Sequence, residues 1–199
     1  MKKLLTFCVV AMLSTLTFAG QKSVEVTSGS GTILKDATKK ASFTFDYDSC
    51  YVGQISKGTL KDGAKPLAQI LTERGEKGQE EWGQTQEFVY DRFFNYWNVV
   101  FRKWTTLVRE EENPDYKIIF HVRGLDLGNG AASYFGYGKT GGVSVIGDID
   151  VIAPTTGEKL TTYKVNQIKG EGELTEAFRL WSAYIQVVGQ MCNVTRKAK

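Results

Sequence analysis

The sequence is poor in the residues that most chemistry needs. It has one histidine, three cysteines and three prolines among 199 residues. A single histidine leaves out His-rich metal sites, which require several ligands at suggestive spacing. His121 has no serine or cysteine in a recognisable nucleophile motif near it, so no Ser-His-Asp or Cys-His arrangement can be read from the chain. Charge of one sign is missing as well, with 25 basic residues facing 22 acidic ones. A dedicated nucleic-acid binder concentrates positive charge to displace phosphate counterions, and that class is excluded. With so few prolines there is no linker to divide the chain and no internal repeat, so one domain is expected over residues 20–199.

Long hydrophobic runs are absent except at the start. Lys2 and Lys3 precede the uncharged stretch from Leu4 to Phe18, and Thr17-Phe18-Ala19 supplies the small residues that signal peptidase reads before a cut at Ala19/Gly20. As a helix that run would span about 23 Å, short of a ~30 Å hydrocarbon core. Residues 1–19 are therefore read as a cleavable secretory signal. The mature chain would carry no transmembrane segment and work in the periplasm or outside the cell, peripheral to the outer membrane. Loss of Lys2 and Lys3 takes 25 basic residues to 23 against 22 acidic, a nearly neutral domain. Export leads to a compartment in which Cys50 and Cys192 are permitted to form a disulfide; two separate buried thiols are the alternative.

Alternation of apolar and polar residues marks four strands. Ala41, Phe43, Phe45 and Tyr47 alternate with Ser42, Thr44, Asp46 and Asp48. Tyr116, Ile118, Phe120 and Val122 share one face of a second strand, whose other face carries Lys117, Ile119, His121 and Arg123. Val143 to Val151 and Lys159 to Ile168 form the last two, joined as a hairpin by the turn Pro154-Thr155-Thr156-Gly157. Residues 21 to 40 allow a short edge strand or arm, and the glycine-rich stretch 52 to 80 reads as a surface excursion.

Two helices complete the pattern. One, over residues 84 to 108, has two adjacent apolar stripes, Val89-Phe93-Tyr96-Val100 and Tyr90-Phe94-Trp97-Phe101, a wider arc than a single core contact needs. The other begins after Gly170-Glu171-Gly172, with Ala177, Phe178, Trp181, Ile185, Val188 and Cys192 on its stripe. The expected fold is α+β, a two-layer sandwich in which two main helices cover one face of an antiparallel or mixed sheet of about four strands. The other sheet face is left polar and open.

Several motifs imitate chemistry without completing it. Gly128-Asn129-Gly130 follows a strand like a dinucleotide fingerprint, but Ser133 stands where the third glycine belongs. Gly138-Lys139-Thr140 imitates the end of a P-loop, yet Ser133 again occupies the opening glycine's place and a strand follows. The Gly124 to Gly142 stretch is a glycine-rich loop in which Tyr134, Phe135 and Tyr137 either fold over a neighbour or grip a ligand. Asp46 with Asp48, and Asp148 with Asp150, are i, i+2 pairs that would gather for calcium only on adjacent strands; solvated strand ends are the commoner case. No metal and no cofactor is expected. Asn193-Val194-Thr195 matches a glycosylation sequon.

The segment from Phe93 to Lys197, with NPDYKIIFHV, GVSVIGDIDVIAPTTGEKL and a final amphipathic helix, resembles small exported proteins of unknown function from Bacteroides-like bacteria. More distantly it is similar to the envelope α/β domains found at the N-terminus of TolB and in outer-membrane secretion components. Those domains place a D-x-x-T-G turn before the C-terminal helix; here Ala153-Pro154-Thr155-Thr156-Gly157 stands there without the Asp. The resemblance implies an envelope domain and brings no functional residues. These observations lead to the expectation of a non-catalytic binding protein whose partner is another cell-envelope protein, with Trp97, Tyr134, Phe135, Tyr137, Asp148 and Asp150 as contact residues. The alternative is a secreted carbohydrate-active hydrolase or carbohydrate-binding protein, with aromatics stacked on sugar rings and Asp148 or Asp150 as an acid.

Overall fold

A computed structural model of the chain describes residues 23–109, 113–128, 142–171 and 175–199. The expected signal at 1–19 and the loop aromatics Tyr134, Phe135 and Tyr137 lie outside the described residues.

The architecture is α+β, with two helices on one side of a mixed sheet. The four alternating segments form the strands β2 (Lys40–Asp46), β8 (Tyr116–Asp126), β9 (Ser144–Ile152) and β10 (Lys159–Lys169). The sheet has eight strands rather than about four, because β1 (Val24–Gly29) pairs with β10 and three two-residue strands are added at the opposite edge. These are β3 (Tyr51–Val52), β6 (Lys65–Pro66) and β7 (Thr106–Leu107). Two residues carry no readable alternation, which is why the sequence pattern misses them. A separate hairpin, β4 (Ile55–Ser56) with β5 (Thr59–Leu60), occupies the stretch expected to be an excursion.

Strand order is β1-β10-β9-β8-β2-β7, with β3 also lying along β8. The pairs from β8 to β1 are antiparallel, and Gly157 (φ 71) closes the β9–β10 hairpin. β2 and β8 are parallel, so the chain between them must cross over, and helix α1 (Leu67–Val100) is that crossover. Gly147 lies where β9 presses on β8; a Cβ there would stand 2.3 Å from the His121 carbonyl oxygen.

Helix α1 starts at Leu67, not near residue 84, and ends at Val100. Its first third is polar and glycine-rich, and non-helical Gly75 (φ 71, ψ −172) interrupts it. Trp82, Val89, Phe93 and Trp97 are its large buried residues, and residues 101 to 108 turn out of the helix into β7. Helix α2 (Glu176–Lys197) opens on a Thr175 cap whose hydroxyl accepts from the Phe178 amide at 3.3 Å, with Glu176 in the first turn and Arg196 and Lys197 in the last, as the helix dipole favours. Its sheet-facing stripe is Leu180, Tyr184, Val187, Val188 and Met191, one step around from the expected Phe178-Trp181-Ile185 row. The displaced row meets α1 instead: the Phe178 ring lies 4.9 Å from Phe88, and Arg92 of α1 sits over the Phe178 and Trp181 rings at 5.4 Å each.

Both helices pack on the same sheet face. Phe93 of α1 lies 4.2 Å from Phe43 and 5.2 Å from Phe45, while Tyr184 of α2 lies 4.6 Å from Phe45 and 5.6 Å from Phe120. This aromatic seam is the centre of one continuous core. Among the described residues no helix is long and apolar enough to cross a membrane.

Cys50 and Cys192 are free thiols, so the permitted disulfide is not formed in this structure. Burial, with a further contribution from Asp46, pushes the Cys50 thiol up to about 12. The thiolate is the reactive species, so Cys50 is expected to resist iodoacetamide in the folded protein at pH 8 and to react once the protein is unfolded without reductant. Peptide mass spectrometry reads the result; a peptide pair joined through Cys50 and Cys192 would contradict it.

Candidate functional site

The polar sheet face was the expected recognition surface, and its geometry can be followed strand by strand. Residue alternation puts Asp46 of β2, His121 of β8 and Asp148 and Asp150 of β9 on the side away from the helices. The register sets Asp46 beside His121, and His121 beside Asp148. His121 is held between two carboxylates: Nδ1 lies 2.5 Å from Asp46 Oδ2, and Nε2 lies 3.3 Å from Asp150 Oδ2. Lys159 Nζ approaches the same Asp150 oxygen at 2.6 Å, and the Thr162 hydroxyl donates to the other at 2.7 Å. Burial alone would raise the Asp150 carboxyl, but the Lys159 and Thr162 hydrogen bonds and the nearby positive charge outweigh it and hold the group below the usual carboxylate range. Asp46 behaves alike: burial raises it, and the Asp48 amide and His121 bring it down further.

This network satisfies itself. Both imidazole nitrogens face carboxylates, and among the described residues no three side chains gather as a metal site. Asp150 is 2% exposed and fully partnered, so it cannot be the contact residue expected of it. Asp148 does reach solvent, 3.8 Å from Arg123. Trp97, also expected to meet a partner, is 0% exposed, and its indole donates to the Thr105 carbonyl at 3.0 Å. The wide apolar arc of α1 that prompted the expectation has a packing cause: the helix touches the sheet along one line and α2 along another.

A different place has the character of a site. β7 covers β2 only at Lys40 and Ala41, and β6 covers β3 only at Tyr51 and Val52. Between those two short strands the β2 edge from Ser42 to Asp46 has no described neighbour on the side away from β8. A hollow of about 430 Å³ occupies this notch. It is lined by Ser42 and Thr44 from one face of β2 and by Phe43, Phe45 and Tyr47 from the other. Residues of both faces can line one hollow only where it lies against the strand's edge. Helix α1, running from β6 to β7, roofs it with Gln86 and Tyr90, and Arg109 closes the β7 end. A second hollow beside it adds Glu87 and Asp91.

One polar atom in this lining is unmet. Ser42 is 3% exposed, and its hydroxyl has no hydrogen-bond partner among the described residues, whereas the Gln86 side chain has the Tyr47 hydroxyl as its hydrogen-bonding neighbour. A buried polar group left in this state costs roughly 1–3 kcal/mol. The floor is otherwise neutral: the Tyr47 and Tyr184 hydroxyls meet at 2.8 Å, and burial pushes both phenols up. None of Ser42, Gln86 and Arg109 was singled out by sequence reasoning. The signal for them is topological, namely that among the described residues no strand pairs with the outer side of β2 beyond Ala41.

No family model and no curated protein matches the chain. Among solved structures, the PelC dodecamer from Paraburkholderia phytofirmans in space group P6 overlaps with a TM-score of 0.40 at 10% identity, covering 84% of this chain and 95% of that one. A single-substitution variant of the same dodecamer, in space group C2, overlaps with a TM-score of 0.40 at 12% identity, covering 86% and 98%.

Proposed function

We propose that the chain is a non-catalytic binding protein of the cell envelope, exported by the leader read at residues 1–19, which engages another envelope protein at the notch on the β2 edge. The observation that carries this reading is the buried Ser42 Oγ, without a hydrogen-bond partner among the described residues, in a hollow walled by aromatic rings. An apolar recess with a few convergent polar groups is the usual form of a binding site. The hydrolase alternative would need one carboxyl raised to act as general acid. Among the described carboxyls with a resolved shift, Asp36, Asp46, Glu73, Asp115 and Asp150 are all lowered, which favours the binding reading.

A photo-reactive amino acid placed at position 86, in the cells that make the protein, is expected to give a discrete cross-linked adduct. The same group at position 164, on the open sheet face, is expected to give none. No adduct from position 86, or equal adducts from both positions, would overturn the assignment.

A further inference from the structure

We infer that the end of the molecule where both helices finish is a membrane-docking surface, which binds anionic phospholipid headgroups and sets the Val99 side chain into the lipid beneath them. The inference is independent of the notch and names the surface that holds the protein against a bilayer.

Three segments distant in sequence make this end. They are the helical turn Gly31–Lys35, the chain leaving α1 at residues 101–105, and the last turn of α2 with the residues after it. The Lys35 ammonium donates to the Ala198 carbonyl at 2.6 Å, and the Thr105 amide and hydroxyl donate to the Leu34 and Asp36 carbonyls at 3.0 and 3.1 Å. Each segment brings basic side chains: Lys35 from the first, Arg102 and Lys103 from the second, and Arg196, Lys197 and Lys199 from the third. Among the described residues none of these six forms an ion pair with a carboxylate. Asp36, next to Lys35, is engaged instead by the amide and hydroxyl of Thr38. Helix dipoles favour a basic residue in a last turn, but Lys35 and Lys103 lie outside both helices.

An apolar component points to lipid rather than to a soluble polyanion. Val99 is 67% exposed, more than any other large hydrophobic side chain among the described residues, and stands immediately before Arg102 and Lys103 in the turn that ends α1. Trp104, directly after them, is half-buried and meets Phe101 edge-on at 5.7 Å. Cations on flexible stems reach headgroup phosphates, while an exposed valine and an indole suit the layer just below. The described segments stop at Ser23, Gly128 and Glu171 toward the other end of the sheet. They stop also at Arg109, beside residues 86 to 91 of α1 and about two turns before Val99.

The protein as purified from its cells is floated with vesicles of phosphatidylcholine, alone or with about 30% phosphatidylglycerol. Binding is expected with the anionic lipid only, and is expected to weaken by about tenfold or more as salt rises from about 0.05 to about 0.5 M. Arg102→Glu with Lys103→Glu is expected to lose about thirtyfold or more in affinity, and Val99→Gln about threefold to tenfold. Lys57→Glu with Lys61→Glu makes the same change of charge in the β4–β5 hairpin, which is tied to Asp126 and Gln167 at the far end, and should cost less than about threefold. These side chains are exposed, and an unchanged thermal melt qualifies each variant as folded. Any hold on lipid by the apolar run Leu4 to Phe18 is common to every variant and drops out of the differences. Equal binding to neutral vesicles, indifference to the Arg102 and Lys103 changes, or an equal loss in the hairpin variant would overturn the inference. Unchanged binding by Val99→Gln would do so too, since the patch would then suit an acidic polymer rather than a bilayer.

Discussion

Replacing Trp97 by alanine is expected to remove about 4 kcal/mol of folding stability, the range found for large aromatic truncations in a packed core. Trp97 is 0% exposed, stacks on Phe101 with centroids 4.2 Å apart and a 10° interplanar angle, and lies within 6.4 Å of both Phe93 and Phe43. Its indole also fixes a polar corner. The Thr105 carbonyl receives the Trp97 N–H, the Thr105 amide donates to the Leu34 carbonyl at 3.0 Å, and the Thr105 hydroxyl donates to the Asp36 carbonyl at 3.1 Å. Truncation therefore opens a cavity and orphans a buried acceptor together. Trp97→Phe keeps the stacking and loses only the hydrogen bond, for an expected cost of about 1–2 kcal/mol. Urea unfolding with unchanged m reads both values, and for a chain of this size the alanine variant should melt roughly 8–16 °C lower. An alanine variant within about 1 kcal/mol of the parent would mean that the α1–β2 seam is not the centre of the core.

The fate of Trp97 shows how much of the molecule was legible in advance. Strands β2, β8, β9 and β10 were readable because each lays one face on the helices and the other on solvent, which imposes a period of two. Their boundaries fall within about three residues of the expected ones for the same reason. The first half of α1 was not readable: residues 67 to 83 bury only Leu67, Gly78 and Trp82, too few for a stripe. Hydrophobic pattern also does not distinguish an aromatic that faces a sheet from one that faces a partner. Trp97, expected to meet a partner, is wholly buried, whereas Phe178, expected on the apolar stripe, is 36% exposed.

The candidate site was less legible still. That no described strand pairs with the outer edge of residues 42 to 46 is a property of other segments of the chain, and nothing within those residues records it. The notch joins β2 to α1 and to Arg109, segments brought together only by the crossover. The paired aspartates were visible, but their role depended on register. In this register Asp46 and Asp150 meet His121, and Asp150 a lysine as well, so these two become structural; had β2 and β9 been neighbours, the four carboxylates of the two pairs would have repelled one another or gathered a cation.

That structural role has a pH signature. Asp46 and Asp150 titrate lower in the folded protein than the ordinary value near 3.9. A carboxyl whose folded value is depressed contributes stability that is fully present above the unfolded value and is lost as pH falls through the folded one. The network should therefore hold from neutral pH down to about 4 and fail below it. Asp150→Ala is expected to cost about 2 kcal/mol at pH 7: the carboxylate is 2% exposed and removing it strips Lys159, Thr162 and one side of His121, but Lys159 is 63% exposed and its charge is screened, so the cost falls short of a deeply buried pair. Asp148→Ala, at a surface residue 3.8 Å from Arg123, should change stability by less than about 0.5 kcal/mol. Urea midpoints between pH 2.5 and 7 decide the matter. The parent should lose stability more steeply below pH 4 than the Asp150→Ala protein, whose missing carboxylate no longer has a proton to take up. Parallel acid limbs in the two proteins would place the acid sensitivity elsewhere and leave the Asp46-His121-Asp150 contacts without energetic weight.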